Sequence, residues 1–287
     1  MGLFSDVLLT VDYDRTLTAP DSTIPARNLE AIRYFMENGG AFTVNTGRSL
    51  PMAKAFIGKV PTNAPLLLYN GAAAYDVRTE QLTFMHEIDL DLWKTVRELI
   101  DLFPDLTVEV QALDKHYDFL PNPAWDAFSA NNCAYATAEP DQDLGPFLKF
   151  SLYGEIRGTS VAQLYQGSPE EIARMDAAEK LLNDIYGDHV AVFRAGPRII
   201  DAQAHGVSKC RSARQLQQQL GKKILVCVGD AENDIVMLDG ADYAFVPADA
   251  LLKDRYENVC NCAEGAVADV IYEKIPAILK NDLDKCQ

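Results

Sequence analysis

The sequence predicts an α/β protein: an open parallel sheet covered by helices on both faces and interrupted by an inserted α+β domain. Three observations predict it. Short, continuous apolar runs recur, and each ends in a cluster of polar residues, as strands buried on both faces do when chemistry sits at their carboxyl ends. Stretches of helical spacing alternate with those runs in a βαβαβ rhythm. The rhythm breaks near residue 85, and a proline-punctuated stretch of different character runs to residue 189.

Taken in order, Val7 to Val11 is the first strand and ends on Asp12. After a loop from Thr18 to Ile24, Pro25 fits the first turn of a helix whose apolar stripe is Leu29, Ile32 and Phe35 or Met36, and Gly39-Gly40 stops it. Ala41 to Val44 and Leu66 to Tyr69 are the next strands, followed by Thr46-Gly47-Arg48 and Asn70-Gly71-Ala72. In the middle stretch the spacing predicts helices over Asp89 to Leu102 and Pro169 to Tyr186, with strands at Leu106 to Val110, Phe147 to Tyr153 and Val190 to Phe193. A helix from Lys209 to Leu220, a strand from Ile224 to Val228, and short strands at Tyr243 to Val246 and Asn258 to Cys260 complete the chain. The expected division is a core of residues 1–84 and 190–287 around an insertion of residues 85–189 with its own small core.

The chain carries 26 basic and 42 acidic residues, a net charge of −16, and has a pI near 4.6. Nucleic acids and anionic membranes require a basic footprint, so neither is an expected partner. No apolar run approaches the roughly 18 residues of a membrane span. Met1 to Val7 lacks the basic start of a signal peptide, so a cytoplasmic location is expected. The six cysteines have no disulfide-framework spacing and read as reduced thiols. Cys260-Asn261-Cys262 is too isolated for a zinc site and fits alternation along a strand. The partner that remains is a small molecule, for a monomer or small homo-oligomer. A negative protein repels an anionic substrate unless cations are gathered at one place.

In an open parallel sheet, ligands bind outside the carboxyl ends of the strands. Asp12-Tyr13-Asp14-Arg15-Thr16, Thr46-Gly47-Arg48, Asn70-Gly71 and Gly229-Asp230-Ala231-Glu232-Asn233-Asp234 all follow such ends and converge on one crevice. Asp12, Asp14, Asp230 and Asp234 bring together carboxylates that cannot all stay ionised without a cation. Hard oxygen donors with no His or Cys point to Mg²⁺ rather than zinc. Lys209, at a helix start, and Thr46 offer donors to a phosphate. A magnesium ion, a carboxylate nucleophile, a second carboxyl for proton transfer and a lysine form a phosphoryl-transfer set.

With these motifs the sequence resembles the haloacid dehalogenase (HAD) superfamily phosphatases that carry a type C2B cap, the Cof-like sugar-phosphatase group. Asp12-Tyr13-Asp14-Arg15-Thr16-Leu17 matches the family's D-x-D-x-T-L first motif and Thr46-Gly47-Arg48-Ser49 its T-G-R-S second. Gly206-Val207-Ser208-Lys209 matches the third, Gly229-Asp230-Ala231-Glu232-Asn233-Asp234 matches G-D-x-x-N-D, and Asn70-Gly71-Ala72 matches the N-G-A after the third strand. The resemblance implies a Rossmann-like HAD core with an inserted α+β cap. It also implies a Mg²⁺-dependent phosphomonoester hydrolase acting on a small phosphorylated metabolite, a sugar phosphate foremost. On that resemblance Asp12 is the nucleophile that becomes an aspartyl-phosphate, and a metal ligand. Asp14 is the acid and then the base, and its main-chain carbonyl is a ligand. Asp230 is a further ligand, and Asp234 and Asn233 orient the metal site. Thr46 and Lys209 hold phosphoryl oxygens. Gly47, Arg48, Asn70, Gly71 and Asn233 complete the substrate-binding candidates, and Asp234 the metal candidates.

Three positions depart from the family pattern: Arg15 and Cys210 stand where Gly is usual, and Asp201 where Glu is common. Taken singly, several candidates also fit plainer roles. Asp12 and Asp14 fit a solvated turn, Thr46 a helix cap, and Asp234 the charge of a helix's first turn; Arg48 fits a phosphate contact or a structural ion pair. The four histidines fit surface or core positions. Lys115-His116-Tyr117, Tyr153, Arg157 and Arg194 are candidates either to read the leaving group or to be solvated. Two other functions use the same residues: a phosphosugar mutase of the same superfamily, and a non-catalytic phosphometabolite-binding protein. A pure binder needs no second proton-transfer carboxyl, which weighs against the last.

Overall fold

The first apolar run is strand β1 (Val7–Val11), buried along its whole length inside a five-stranded parallel sheet. It is flanked by β2 (Ala41–Val44) and β11 (Ile224–Val228), with β12 (Tyr243–Pro247) and β13 (Glu257–Val259) beyond β11. Register runs Val7 to Ile224 through Val11 to Val228 on one side and Leu8 to Ala41 through Val11 to Val44 on the other. These strands therefore end level, and their polar tails leave the sheet at one edge. The computed structural model describes residues 2–119, 135–154 and 166–285. They form two units: Met1–Gly47, Phe56–Thr83 and Ser208–Gln287 in the first, Arg48–Ala55 and Phe84–Val207 in the second.

Pro25 is the N-cap of helix Ala26–Glu37 rather than part of its first turn, and Gly39, at φ +91°, lets the chain reverse into β2. The third expected strand, β3 (Leu66–Leu68), joins the parallel set only through the bridge between Asn45 and Leu67. It pairs instead in antiparallel fashion with β4 (Ala73–Asp76), in a small three-stranded sheet completed by β5 (Gln81–Met85). β13 stops at Val259, so Cys260 and Cys262 do not alternate along a strand. Cys260 follows the strand end, while Cys262 starts a 3-10 turn and donates its Sγ–H to Asp249. Among the described residues Cys210, Cys227, Cys260 and Cys262 are free thiols.

The second unit contains a five-stranded antiparallel sheet of β6 (Thr107–Ala112), β7 (His116–Phe119), β8 (Phe147–Tyr153), β9 (Val190–Gly196) and β10 (Ile199–Ala204), in the order β7-β6-β8-β10-β9. Helices Leu92–Leu102 and Pro169–Tyr186 pack on it, burying Val96, Leu99, Met175 and Leu182. The first is capped by Asp91, the second by a Ser168–Glu171 capping box. The expected return to the core at residue 190 comes too early. β9 pairs with β10 and β10 with β8, so this unit runs on to Val207. The signal for that is Pro197-Arg198 between two apolar runs, a two-residue hairpin loop, which parallel neighbours cannot use.

Candidate active site

β1 delivers Asp12 to the carboxyl edge of the sheet, where its N–H donates to the Val228 carbonyl at 2.9 Å and extends the ladder by one residue. The chain then turns tightly. Asp14 is extended, Arg15 takes φ +58°, and Leu17 and Thr18 donate back to the Asp12 and Tyr13 carbonyls at 3.3 and 3.0 Å. Arg15 thus occupies a left-handed position that glycine takes without strain, at a cost of roughly 1 kcal/mol, and its side chain is exposed. The turn buries Thr16, whose hydroxyl donates to Asp230 Oδ1 at 3.1 Å.

Lys209 opens helix Lys209–Gln219, capped by Ser208, and is 1% exposed. Its ammonium donates to Asp12 Oδ1 at 2.7 Å and to Asp234 Oδ1 at 2.6 Å. Its main-chain carbonyl accepts from Asn45 Nδ2 at 2.9 Å, tying the helix start to the end of β2. The other Asp234 oxygen accepts the N–H groups of Asp230 at 2.9 Å and Ala231 at 3.3 Å. Asp234 folds back so closely over Gly229 that a Cβ there would lie 2.6 Å from the Asp234 Cβ and Cγ. Cys210, the second departure from the family pattern, packs its sulfur against Gly240.

Thr46, buried, donates its N–H to Leu67 O at 2.9 Å and accepts from Asn70 N at 3.0 Å, so the turns after β2 and β3 are locked together. Gly47 is needed there because a Cβ would approach Asn70 Oδ1 to 2.8 Å. Gly71, at φ +98°, lies against Ser208 and Ser212 of the lysine helix. Asn233 is half-buried in the short turn Glu232–Asp234. Arg48, half-buried, falls in the second unit together with Ser49. Asp201 also lies in that unit, on β10 and paired with Lys149, and is no part of this carboxylate cluster.

Asp12, Asp230 and Asp234 each offer a carboxylate oxygen within 4.8 Å of the others, all buried. Burial pushes the Asp12 carboxyl up; Lys209 pulls it down, but Asp234 and Asp14 push it up again, to about 7. Burial, then Asp234 and Asp12, hold the Asp230 carboxyl well above the usual carboxylate range. Burial lowers Lys209, yet its two carboxylate partners outweigh that and keep it charged.

The sequence profile of the haloacid dehalogenase-like hydrolases matches residues 9–271. The chain belongs to that family. HMP-PP phosphatase of Serratia proteamaculans is 22% identical over 277 residues, covering 91% of this chain and 92% of that protein. Among solved structures, a haloacid dehalogenase-like hydrolase from Bacteroides thetaiotaomicron superposes with a TM-score of 0.75 at 19% identity, over 92% of this chain and 97% of that one. The HAD subclass IIB sugar phosphatase BT4131 gives 0.74 at 16% identity, over 93% and 99%. These likenesses show the HAD fold.

In this HAD-like hydrolase the residues fit a hard divalent cation. Asp12 and Asp234 share one lysine and the Asp230 carboxyl lies buried beside them, so ionising all three leaves uncompensated negative charge among oxygen donors. Asp234 already spends one oxygen on Lys209 and the other on two N–H groups, so Asp12 and Asp230 are the carboxylates better placed to ligate. Sequence reasoning did not single out Thr16 or Asn45. Thr16 was legible as the third polar position of the first motif, and Asn45 as a polar residue ending an apolar strand. Among the described residues no helix is long and apolar enough to cross a membrane.

Proposed function

We propose that this HAD-family hydrolase is a phosphomonoesterase acting on a small phosphorylated metabolite, with a phosphorylated sugar as the leading substrate class. The observation that supports it is the Asp12 carboxylate at the end of an interior strand, hydrogen-bonded to a buried lysine amid two further carboxylates. Asp12 attacks phosphorus, the ester oxygen leaves with a proton from Asp14, and an aspartyl-phosphate remains. Asp14 then takes a proton from water, the hydroxide attacks the same phosphorus, and inorganic phosphate departs with Asp12 restored. Lys209 and Thr46 bind the phosphoryl oxygens and offset the charge that grows on them. Asp234 holds Lys209 and the Asp230 backbone in place. Mg²⁺, held by Asp12, Asp230 and the Asp14 carbonyl, supplies positive charge to the phosphoryl group when bound. HMP-PP phosphatase, a relative along nearly the whole length, accords with this reading.

The test is phosphate release from an aryl phosphate with Mg²⁺ and with chelator. Wild type releases phosphate only with Mg²⁺, and Asp12→Asn abolishes release while the circular dichroism spectrum is retained. Turnover by Asp12→Asn overturns the nucleophile assignment.

A further inference from the structure

Asn45 is the residue just past the end of β2, and the register that pairs Val44 with Val11 sets it beside Asp12. Its main chain carries the sheet on by one step. The N–H donates to the Val11 carbonyl at 2.8 Å, and on its other side the residue bridges to Leu67 in parallel fashion. Asn45 is fully buried, so its amide must find bonds inside the protein. Nδ2 donates to the main-chain carbonyl of Lys209 at 2.9 Å, with Met237 Sδ at 3.5 Å. One buried residue thus ties the strand that carries Asp12 to the first residue of the lysine helix, and Thr46 follows it directly. Asn45, Asp12, Lys209 and Asp234 all belong to the first unit.

The Lys209 carbonyl does not need that bond to be satisfied. Lys209 is the first residue of its helix, where a carbonyl accepts from the helix's own ladder. The Ser212 hydroxyl donates to the same oxygen at 3.1 Å. Asn45, for its part, leaves its own Oδ1 buried without a hydrogen-bond partner. A flip of the amide brings no relief, because it would turn Oδ1 onto the Lys209 carbonyl oxygen. A buried amide that leaves one end unmet to reach a carbonyl already bonded contributes location rather than satisfaction.

Location matters because the Lys209 ammonium stands between two carboxylates, 2.7 Å from Asp12 Oδ1 and 2.6 Å from Asp234 Oδ1. An ammonium has three donors, so one is left for a phosphoryl oxygen, and where it points depends on where the helix begins. The same first turn meets Gly71, where a Cβ would lie 2.6 Å from the Ser208 carbonyl oxygen. We infer that Asn45 is a positioning residue: by holding the Lys209 main chain to the end of β2, it sets where the ammonium stands relative to Asp12. It acts through Lys209 and does not itself touch the substrate. The inference rests on the phosphomonoesterase reading above for the reaction that this position serves.

The test combines steady-state phosphate release from phenyl phosphate in Mg²⁺ with urea unfolding of the same variants in chelator. Asn45→Leu removes the donor and keeps the volume. In that variant kcat falls about tenfold, the low end of the loss caused by removing a residue that orients a catalytic group. KM changes little, because the charge that Lys209 offsets grows only as the transition state forms. The second readout needs no turnover. Lys209→Met destabilises the Asn45→Leu protein less than it destabilises the wild type, because a displaced ammonium already makes weaker bonds to Asp12 and Asp234. A residue with a structural role alone leaves kcat intact in the folded variant, and the two stability losses then add. Asn45→Ala removes the same donor without adding bulk, and serves if the Leu variant does not fold. An unchanged kcat in the folded variants overturns the inference, and so does strict additivity of the two stability losses. Failure of the phosphomonoesterase reading shows separately, as no Mg²⁺-dependent phosphate release by the wild type; the additivity of the stability losses then decides the role of Asn45 by itself.

Discussion

Replacing Lys209 by Met tests the arrangement of the carboxylate cluster most directly. Methionine fills the space of the lysine stem and removes only the charge and the donors. Lys209 Nζ lies 2.7 Å from Asp12 and 2.6 Å from Asp234, and the lysine and Asp234 side chains are 1% and 0% exposed. The variant therefore strands two carboxylates in a dry setting. Breaking a buried pair by removing one partner costs about 3–5 kcal/mol, a large share of the roughly 5–15 kcal/mol that stabilises a folded protein. The assay is urea unfolding at pH 8 in chelator, with and without the second substitution Asp234→Asn. Lys209→Met lowers the unfolding free energy by about 3–5 kcal/mol, and Asp234→Asn in that background restores part of it because one stranded charge is gone. Added Mg²⁺ restores part as well, by mass action on the folded state. A loss under about 1 kcal/mol, the range of an exposed ion pair, refutes the reasoning. A double variant no more stable than the single one refutes it equally.

Two further predictions follow from neighbouring geometry. Gly229→Ala forces a Cβ to 2.6 Å from Asp234, so it costs about 1–3 kcal/mol as an overpacked site and weakens Mg²⁺ binding; an unaltered urea midpoint and unaltered Mg²⁺ affinity count against the close packing of Asp234 over Gly229. In the second unit, burial pushes the Glu109 carboxyl up, but His116 and the hydrogen bonds from His116, Tyr135 and Gln111 hold it down at about 2 when folded, against an ordinary 4.5. Its folded value is depressed, so its contribution, of the order of 3 kcal/mol, is full above about pH 4.5 and is lost as pH falls from there toward 2. The stability gap between wild type and Glu109→Gln, followed by urea midpoints between pH 6 and pH 3, narrows on the acid side; a constant gap refutes the charged assignment.

The first unit was legible where strand burial and site chemistry share one signature. β1, β2 and β11 are continuous apolar runs because both faces of a parallel sheet are covered, and Asp12, Thr46 and Asp230 follow them because only the carboxyl edge is open to a ligand. β4 was not legible: Ala73 and Ala74 carry no strand preference, and the left-handed turn at Asn70 and Gly71 makes the hairpin. The second unit shows a deeper limit. In β6 the run Thr107-Val108-Glu109-Val110-Gln111-Ala112 alternates as a strand with one wet face does, yet every one of its residues is buried. Alternation reports which side of a sheet is polar and says nothing of whether water reaches it. Polar residues that look solvated by period therefore hide the ones that must be satisfied by a partner. Glu109 is such a residue, because Val108 and Val110 set its side of the sheet and its carboxylate accepts from Gln111, Tyr135 and Tyr153. What distinguishes it from an ordinary surface glutamate is that set of donors, which is complete only once β6 and β8 are side by side.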